Sequence, residues 1–206
     1  MPARDIEPSI HDIYAALTAD ETRNEQIIKD LLRCLDEGRS PILLTERREH
    51  LNLLAERLAK RVPNVIVLRG GMGTRERRTA ADRLASIPVG ERRVLLATGR
   101  YVGEGFDDPR LDTLFLAMPV SWKGTLVQYA GRLHRPSPDK REARIYDYVD
   151  RNCLLLMGMF HKRLSGYRAM GYEQSRYIQT HVRRKSDGIS QAAMSMPLLW
   201  DEPDTL

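Results

Sequence analysis

Five short segments, PILLT at 41–45, NVIVL at 64–68, RVLLAT at 93–98, LDTLFLAM at 111–118 and ARIYDYV at 143–149, are apolar along almost their whole length. A strand without a polar face has to be covered on both sides, the condition of a parallel sheet held between layers of helices. The stretches between these segments carry the helical period. Leu51, Leu54, Ala55 and Leu58 share a face within 47–61, Ala80, Ala81 and Leu84 share one within 74–86, and 121–134 and 153–170 read as helices. Strand and helix therefore alternate, which predicts an α/β domain with right-handed crossovers. Ahead of it, Ile27, Ile28, Leu31, Leu32 and Leu35 recur at helical spacing between a capping Thr18 or Asp20 and a terminating Gly38. Residues 1–18 read as an N-terminal arm with a helical turn near 10–17, residues 19–170 as the domain, and residues 171–206 as a loosely packed C-terminal extension.

Composition narrows the class. Of the 206 residues, 42% are hydrophobic and 30% charged, which argues against wholesale disorder. No apolar run approaches the roughly 18 residues that span a bilayer, and residues 1–10 lack the pattern of a signal peptide, so no membrane partner and a cytoplasmic location are expected. Cys34 and Cys153 stand far apart with no CxxC pair; both read as small apolar residues, and no metal site is expected. The net charge of +5 favours a polyanionic partner. The cations are mostly Arg, the better residue for bidentate phosphate contact, although genome composition produces the same bias.

In an open parallel sheet, ligands bind beyond the carboxyl ends of the strands. The loops to search are therefore 45–48, 69–74, 98–109, 119–125 and 150–152. The strongest signal is QYAGRLHR at 128–135, where Gln128, Arg132 and Arg135 are four and three apart and share a helical face. Two guanidiniums there, with Gly131 permitting close approach, suit a polyphosphate; solvated surface arginines are the alternative. A second signal, ATGRYVGEGFDDP at 97–109, follows a buried strand directly. Gly103 and Gly105 allow unusual backbone angles, Thr98 offers a hydroxyl to phosphate and Asp107 an acceptor to a ribose hydroxyl or an arginine; a glycine-rich turn is the alternative. A third, Arg69-Gly70-Gly71-Met72-Gly73-Thr74, is not a phosphate-binding P-loop, because no Lys-Ser/Thr follows the last glycine, but its amides could face an anion. Lys123-Gly124-Thr125 has the wrong order for such a loop. Tyr101 and Trp122 could stack on a base or pack internally, and His134 could meet a phosphate or pack against the protein.

In this order Pro41–Thr45, Gly70-Gly71, 97–109 and 128–135 resemble the second RecA-like domain of superfamily 2 helicases, at the motifs numbered IV, IVa, V and VI. The QxxGRxxR pattern at 128–135 and the EGxDxP pattern at 104–109 together carry the specificity, and the resemblance covers about residues 20–170. The stretch 147–172, with Arg163, Tyr167, Gly171 and Tyr172, resembles the bacterial and phage branch related to restriction-enzyme motor subunits.

The resemblance implies an α/β, RecA-like (P-loop NTPase-like) parallel sheet with helices on both faces, plus an N-terminal helix and a C-terminal extension. It implies that Arg135 is an arginine finger, that Arg132 contacts phosphate or couples domains, and that Gln128, Gly131, Glu104, Gly105 and Asp107 approach ATP. It further implies that Thr45, Arg69, Gly70, Gly71 and Thr98 meet a nucleic-acid backbone, DNA in preference to RNA. The sequence contains no GxxxxGK[ST] and no acidic box after a strand. ATP and Mg²⁺ would then be held mainly by an N-terminal RecA-like domain, in the same or another chain, and this chain alone is expected to be inactive. The rival expectation is a non-catalytic module that binds nucleic acid or protein.

Overall fold

A computed structural model describes residues 8–99, 101, 108–120, 126–138, 140–175 and 196–201, with Ser175 and 196–201 described by their backbone. The elements are α1 (Ile10–Ala19), α2 (Glu21–Asp36), β1 (Pro41–Thr45), α3 (Arg48–Ala59), β2 (Asn64–Leu68), α4 (Thr74–Ser86), β3 (Arg93–Thr98), β4 (Thr113–Leu116), α5 (Val127–Leu133), β5 (Arg144–Val149), α6 (Leu154–Ala169), β6 (Glu173–Ser175) and β7 (Met196–Asp201). Sheet order is β2-β3-β1-β4-β5-β7-β6. The first five strands are parallel, as the apolar runs predict, and β7 runs antiparallel to both β5 and β6.

Alternation along each strand divides the core into two layers. Ile42, Leu44, Leu95, Ala97, Leu114, Leu116 and Ile145 face a layer containing Leu84 of α4, Tyr129 and Leu133 of α5, and Phe160 and Tyr167 of α6. Leu43, Val94, Leu96, Phe115, Tyr146 and Tyr148 face Ile27, Ile28 and Leu31 of α2 and Leu51, Leu54 and Leu58 of α3. The Phe115 and Tyr146 rings stack with centroids 4.3 Å apart. Each fully buried aliphatic or aromatic side chain contributes about 1.5–3 kcal/mol.

Helix ends follow their capping chemistry. Ser9 and Asp12 form a capping box that starts α1, which runs to Ala19, beyond the turn expected at 10–17. Asp20 starts α2 by accepting from the Arg23 N–H at 3.0 Å. On α4 only Leu84 is buried, and Ala81 is exposed rather than inward. Helix α5 stops at Leu133, because Pro136 disfavours helical geometry at Arg135. Lys140 Nζ then donates to the carbonyls of Leu133 at 2.9 Å and Arg135 at 2.6 Å. Beyond Gly171 the chain is not wholly a loose extension, since β6 and β7 pair along the sheet from Arg144↔Asp201 to Val149↔Met196. Cys34 is buried and Cys153 half-buried. No helix among the described residues is long and apolar enough to cross a membrane.

Two buried polar systems fasten helices to strands. On β5, Asp147 faces α6 and receives Arg163 Nε at 2.7 Å and Nη2 at 2.9 Å, with the Tyr167 hydroxyl at 2.9 Å. Arg163 Nη1 continues to the Val120 carbonyl at 3.0 Å. On the other side His50, at 0% exposure, joins β1 to α2. Asn24 Nδ2 donates to the Thr18 carbonyl at 2.9 Å, so its Oδ1 accepts from His50 Nε2 at 2.8 Å. His50 Nδ1 is left to accept from the Thr45 hydroxyl at 3.1 Å. Burial, with Arg23 and Arg57 adding to it, pushes the His50 pKa down to about 4.

Two consequences are measurable. Arg163→Met strands Asp147 in the core and is expected to lower unfolding free energy by about 3–5 kcal/mol in urea denaturation; a loss below about 1 kcal/mol would contradict a desolvated pair. His50 is neutral when folded but has an ordinary pKa of about 6.5 when unfolded. Its contribution is therefore complete above pH 6.5 and lost as pH falls toward about 4. Over that window the wild type should lose up to about 3 kcal/mol more stability than His50→Gln, and parallel pH curves would refute the assignment.

Candidate functional site

The register sets the carboxyl ends of three neighbouring strands level, with Leu68 beside Ala97 and Thr45 beside Thr98. Their loops are then cross-linked. After β2, Arg69-Gly70-Gly71-Met72 makes a turn closed by the Met72 N–H on the Arg69 carbonyl at 3.4 Å. Gly71 has φ +84°, the left-handed value a type II turn requires at its third residue. The Gly70 N–H donates to Thr98 Oγ1 at 2.9 Å, and Arg48 Nη2 donates to the Gly70 carbonyl at 2.7 Å. Arg69 is exposed and pairs with Glu76 at 3.6 Å. Arg77 Nε donates to the Met72 carbonyl at 3.0 Å, and its guanidinium lies 5.9 Å from the centre of the Tyr101 ring.

Four of the residues expected to meet nucleic acid, Arg69, Gly70, Gly71 and Thr98, are thus brought together by direct bonds or by one turn. Thr45 sits one level below, fully buried, with its hydroxyl turned to His50. Arg48 and Arg77 join the cluster without having been singled out by sequence. Arg48 carried a weak signal, as the second cation of the Glu-Arg-Arg-Glu run that follows β1. Tyr101 packs in the core at 4% exposure.

Helix α5 begins at the same edge. Tyr129, Ala130 and Leu133 are its buried side; Gln128 and Gly131 are exposed and Arg132 is half-buried. Gln128 and Arg132 share the helical face, whereas Arg135 is exposed just past the helix end, its N–H bonded to the Arg132 carbonyl at 3.2 Å. Burial raises the Tyr129 hydroxyl pKa; the Arg132 charge opposes that shift, and Glu46 of the β1 loop adds to it. Burial also lowers the Arg132 guanidinium pKa, with Tyr129 opposing. His134 packs edge-on to Tyr172, with ring centroids 5.3 Å apart. A Cβ placed on Gly131 would meet no atom of the described residues within 4 Å.

The 97–109 segment is described at its two ends. At the far end Asp108 is buried between Arg93 and Arg110, whose Nε donates at 2.9 Å. Burial alone would raise its carboxyl, but hydrogen bonds from Arg110 and Arg93 outweigh that and hold it below the ordinary value. Gly103, Glu104, Gly105 and Asp107 lie outside the described residues, as do Trp122, Lys123-Gly124-Thr125 and the Arg183-Arg184-Lys185 run. Among the described residues no group of three or more His, Cys, Asp or Glu side chains converges as a metal site would require.

Transcript termination protein A18 of fowlpox virus is 24% identical over 155 residues, 73% of this chain and 33% of that protein. Its counterpart from camelpox virus is 27% identical over 169 residues, 78% of this chain and 33% of that protein. The chain thus spans about a third of the length of the curated relatives it matches. The crystal structure of T4 UvsW superposes with a TM-score of 0.62 at 18% identity, over 79% of this chain and 35% of that one, and shows that the fold is the RecA-like one. The family model described as "Helicase conserved C-terminal domain" matches residues 23–137, more than half of the chain and the stretch that holds β1 to β4, the cross-linked loops and α5. A parallel sheet with this edge, these loops and this arginine helix belongs to the helicase conserved C-terminal domain family.

Proposed function

We propose that this chain is the C-terminal half of an ATP-dependent helicase or translocase, with residues 19–170 as its RecA-like domain. In this reading Arg132 and Arg135 reach an ATP cleft completed by a domain with Walker motifs, in the same or another chain. The observation that carries the reading is the outward side of α5 and its end. Gln128, Arg132 and Arg135 present amide and guanidinium groups, Gly131 opens onto space that nothing among the described residues fills, and no carboxylate lies among 127–135. Such a donor set fits triphosphate oxygens and not Mg²⁺, which would be held with ATP from the other side. Arg135, solvated and always charged, is assigned the finger that meets charge developing on the transferring phosphoryl group. Arg132 contacts phosphate one turn away, and Gln128 links nucleotide state to domain closure. Glu104, Gly105 and Asp107, on the segment between Thr98 and Asp108, are assigned to the ribose and phosphates.

The nucleic-acid contacts are assigned to Arg69, Gly70, Gly71 and Thr98. Thr45 stands beneath the same edge, its hydroxyl bonded to His50 and accepting from the Arg47 N–H at 3.4 Å. Contacts of this kind bind the backbone without reading sequence, as a translocase needs. DNA in preference to RNA rests on the resemblance of 147–172 to the restriction-enzyme motor branch. A cytoplasmic location belongs to the same reading.

ATP hydrolysis tests it. The chain alone should turn over ATP at background, and activity should appear when it is joined to its Walker-motif domain. In that joined protein Arg135→Ala is expected to lower kcat by roughly 10³-fold or more while leaving the affinity for a non-hydrolysable ATP analogue within a few-fold. Undiminished hydrolysis removes the finger role. Nucleic-acid binding that is indifferent to ATP in the joined protein would instead mark a non-catalytic binding module.

A further inference from the structure

Arg48 opens α3 at the end of β1, and its guanidinium reaches past the end of β3 to the turn after β2. There it donates to the Gly70 carbonyl at 2.7 Å, while the N–H of the same residue is held by Thr98. A Cβ on Gly71 would stand 3.1 Å from Arg48 Nη2, so the guanidinium lies directly against the turn. Other arginines near this edge have partners of their own. Arg69 faces Glu76, and Arg47 is bonded to His11 Nδ1 at 3.0 Å with its guanidinium against the Tyr14 ring. Arg48 is exposed and, among the described residues, forms no ion pair; its hydrogen bond goes to a neutral carbonyl.

We infer that Arg48 is a phosphate ligand of the nucleic-acid edge, held against the Gly70-Gly71 turn by its bond to the Gly70 carbonyl. The inference rests on the nucleic-acid reading proposed above. A guanidinium has five donors in a planar fork, so it can keep the carbonyl on one nitrogen and still offer others to a phosphate oxygen. The ammonium of a lysine is a single compact centre and cannot span both partners in the same way.

The test is the affinity of this chain for a fluorescein-labelled oligo(dT) strand, measured by anisotropy across a series of KCl concentrations. Three proteins are compared: wild type, Arg48→Ala and Arg48→Lys. Losing one phosphate ligand should weaken binding roughly tenfold at low salt and reduce the slope of log affinity against log salt by about 0.7. Arg48→Lys should keep the wild-type slope, because the charge remains, and still lose several-fold in affinity. Thermal melting is followed in parallel, and if Arg48→Ala melts early Arg48→Gln, which also removes the charge, takes its place with the same loss of slope expected. If the wild type binds and Arg48→Ala matches it in affinity and slope, Arg48 is not a ligand. Weaker binding by the charge-removing variant at an unchanged slope also rejects the ligand role and leaves Arg48 as a turn holder. If the wild type shows no salt-dependent binding at all, the nucleic-acid reading itself falls.

Discussion

Burial of both faces of the parallel strands decides where everything else in this protein can stand. Strands β1, β3 and β4 have no solvent-facing side chain, so helices must occupy both faces. Only the strand ends then remain for loops that touch anything outside the core. Because β1 and β3 end level, their loops and the turn after β2 fall close enough for one residue, Gly70, to bond two of its neighbours. The cluster at that edge is therefore a product of register, and register follows from the apolar pattern, since a slip of one residue would exchange the two faces of a strand.

Loops at such an edge also need their backbone groups satisfied, and here the buried charges do that. The chain leaving β4 presents three carbonyls inward. Ala117 is met by Arg23 Nη2 at 3.0 Å, Pro119 by the Tyr14 hydroxyl at 2.8 Å, and Val120 by Arg163 Nη1 at 3.0 Å. An unmade bond at a buried carbonyl costs about 1–3 kcal/mol, so each donor is a substantial local contribution. Both guanidiniums are almost fully buried and need carboxylates, which β5 and its end supply as Asp147 and Asp150. The donors come from α2, α1 and α6. Helix α1 is thus not an arm trailing from the domain; it is stitched across the carboxyl edge, with Leu17 packed beside Met118 and Leu156.

How much of this the sequence discloses depends on the range of the interaction. The parallel strands and most helices are legible because each is written in its own periodicity. Strand β7 is not, because MPLLWD is short and contains a proline, and its place beside β5 is a tertiary fact. Thr45 is instructive, because the information was present. It shares strand parity with Leu43, whose face packs on α2 and α3, so its hydroxyl had to point toward Asn24 and His50 and not along the strand axis. The arginine helix shows the opposite case. A spacing of four and three places Gln128, Arg132 and Arg135 on one face only if the helix lasts, and Pro136 shortens it. Arg48 was hidden because its partner is a backbone carbonyl 22 positions away, which no local pattern encodes.

That shortening separates the two arginines physically. Arg132 belongs to the helix and is partly desolvated, within electrostatic reach of Tyr129. Arg135 belongs to the turn, is exposed, and has its backbone carbonyl held by Lys140. A half-buried guanidinium has already given up part of its hydration, so a phosphate can reach it with less further desolvation and little freedom of aim. An exposed one keeps more of its hydration until something closes over it. In the proposed cleft Arg132 is therefore suited to register a nucleotide whether the domains are open or closed. Arg135 is suited to engage only on closure, when a second domain expels the water around it and the guanidinium meets the charge that develops in the reaction.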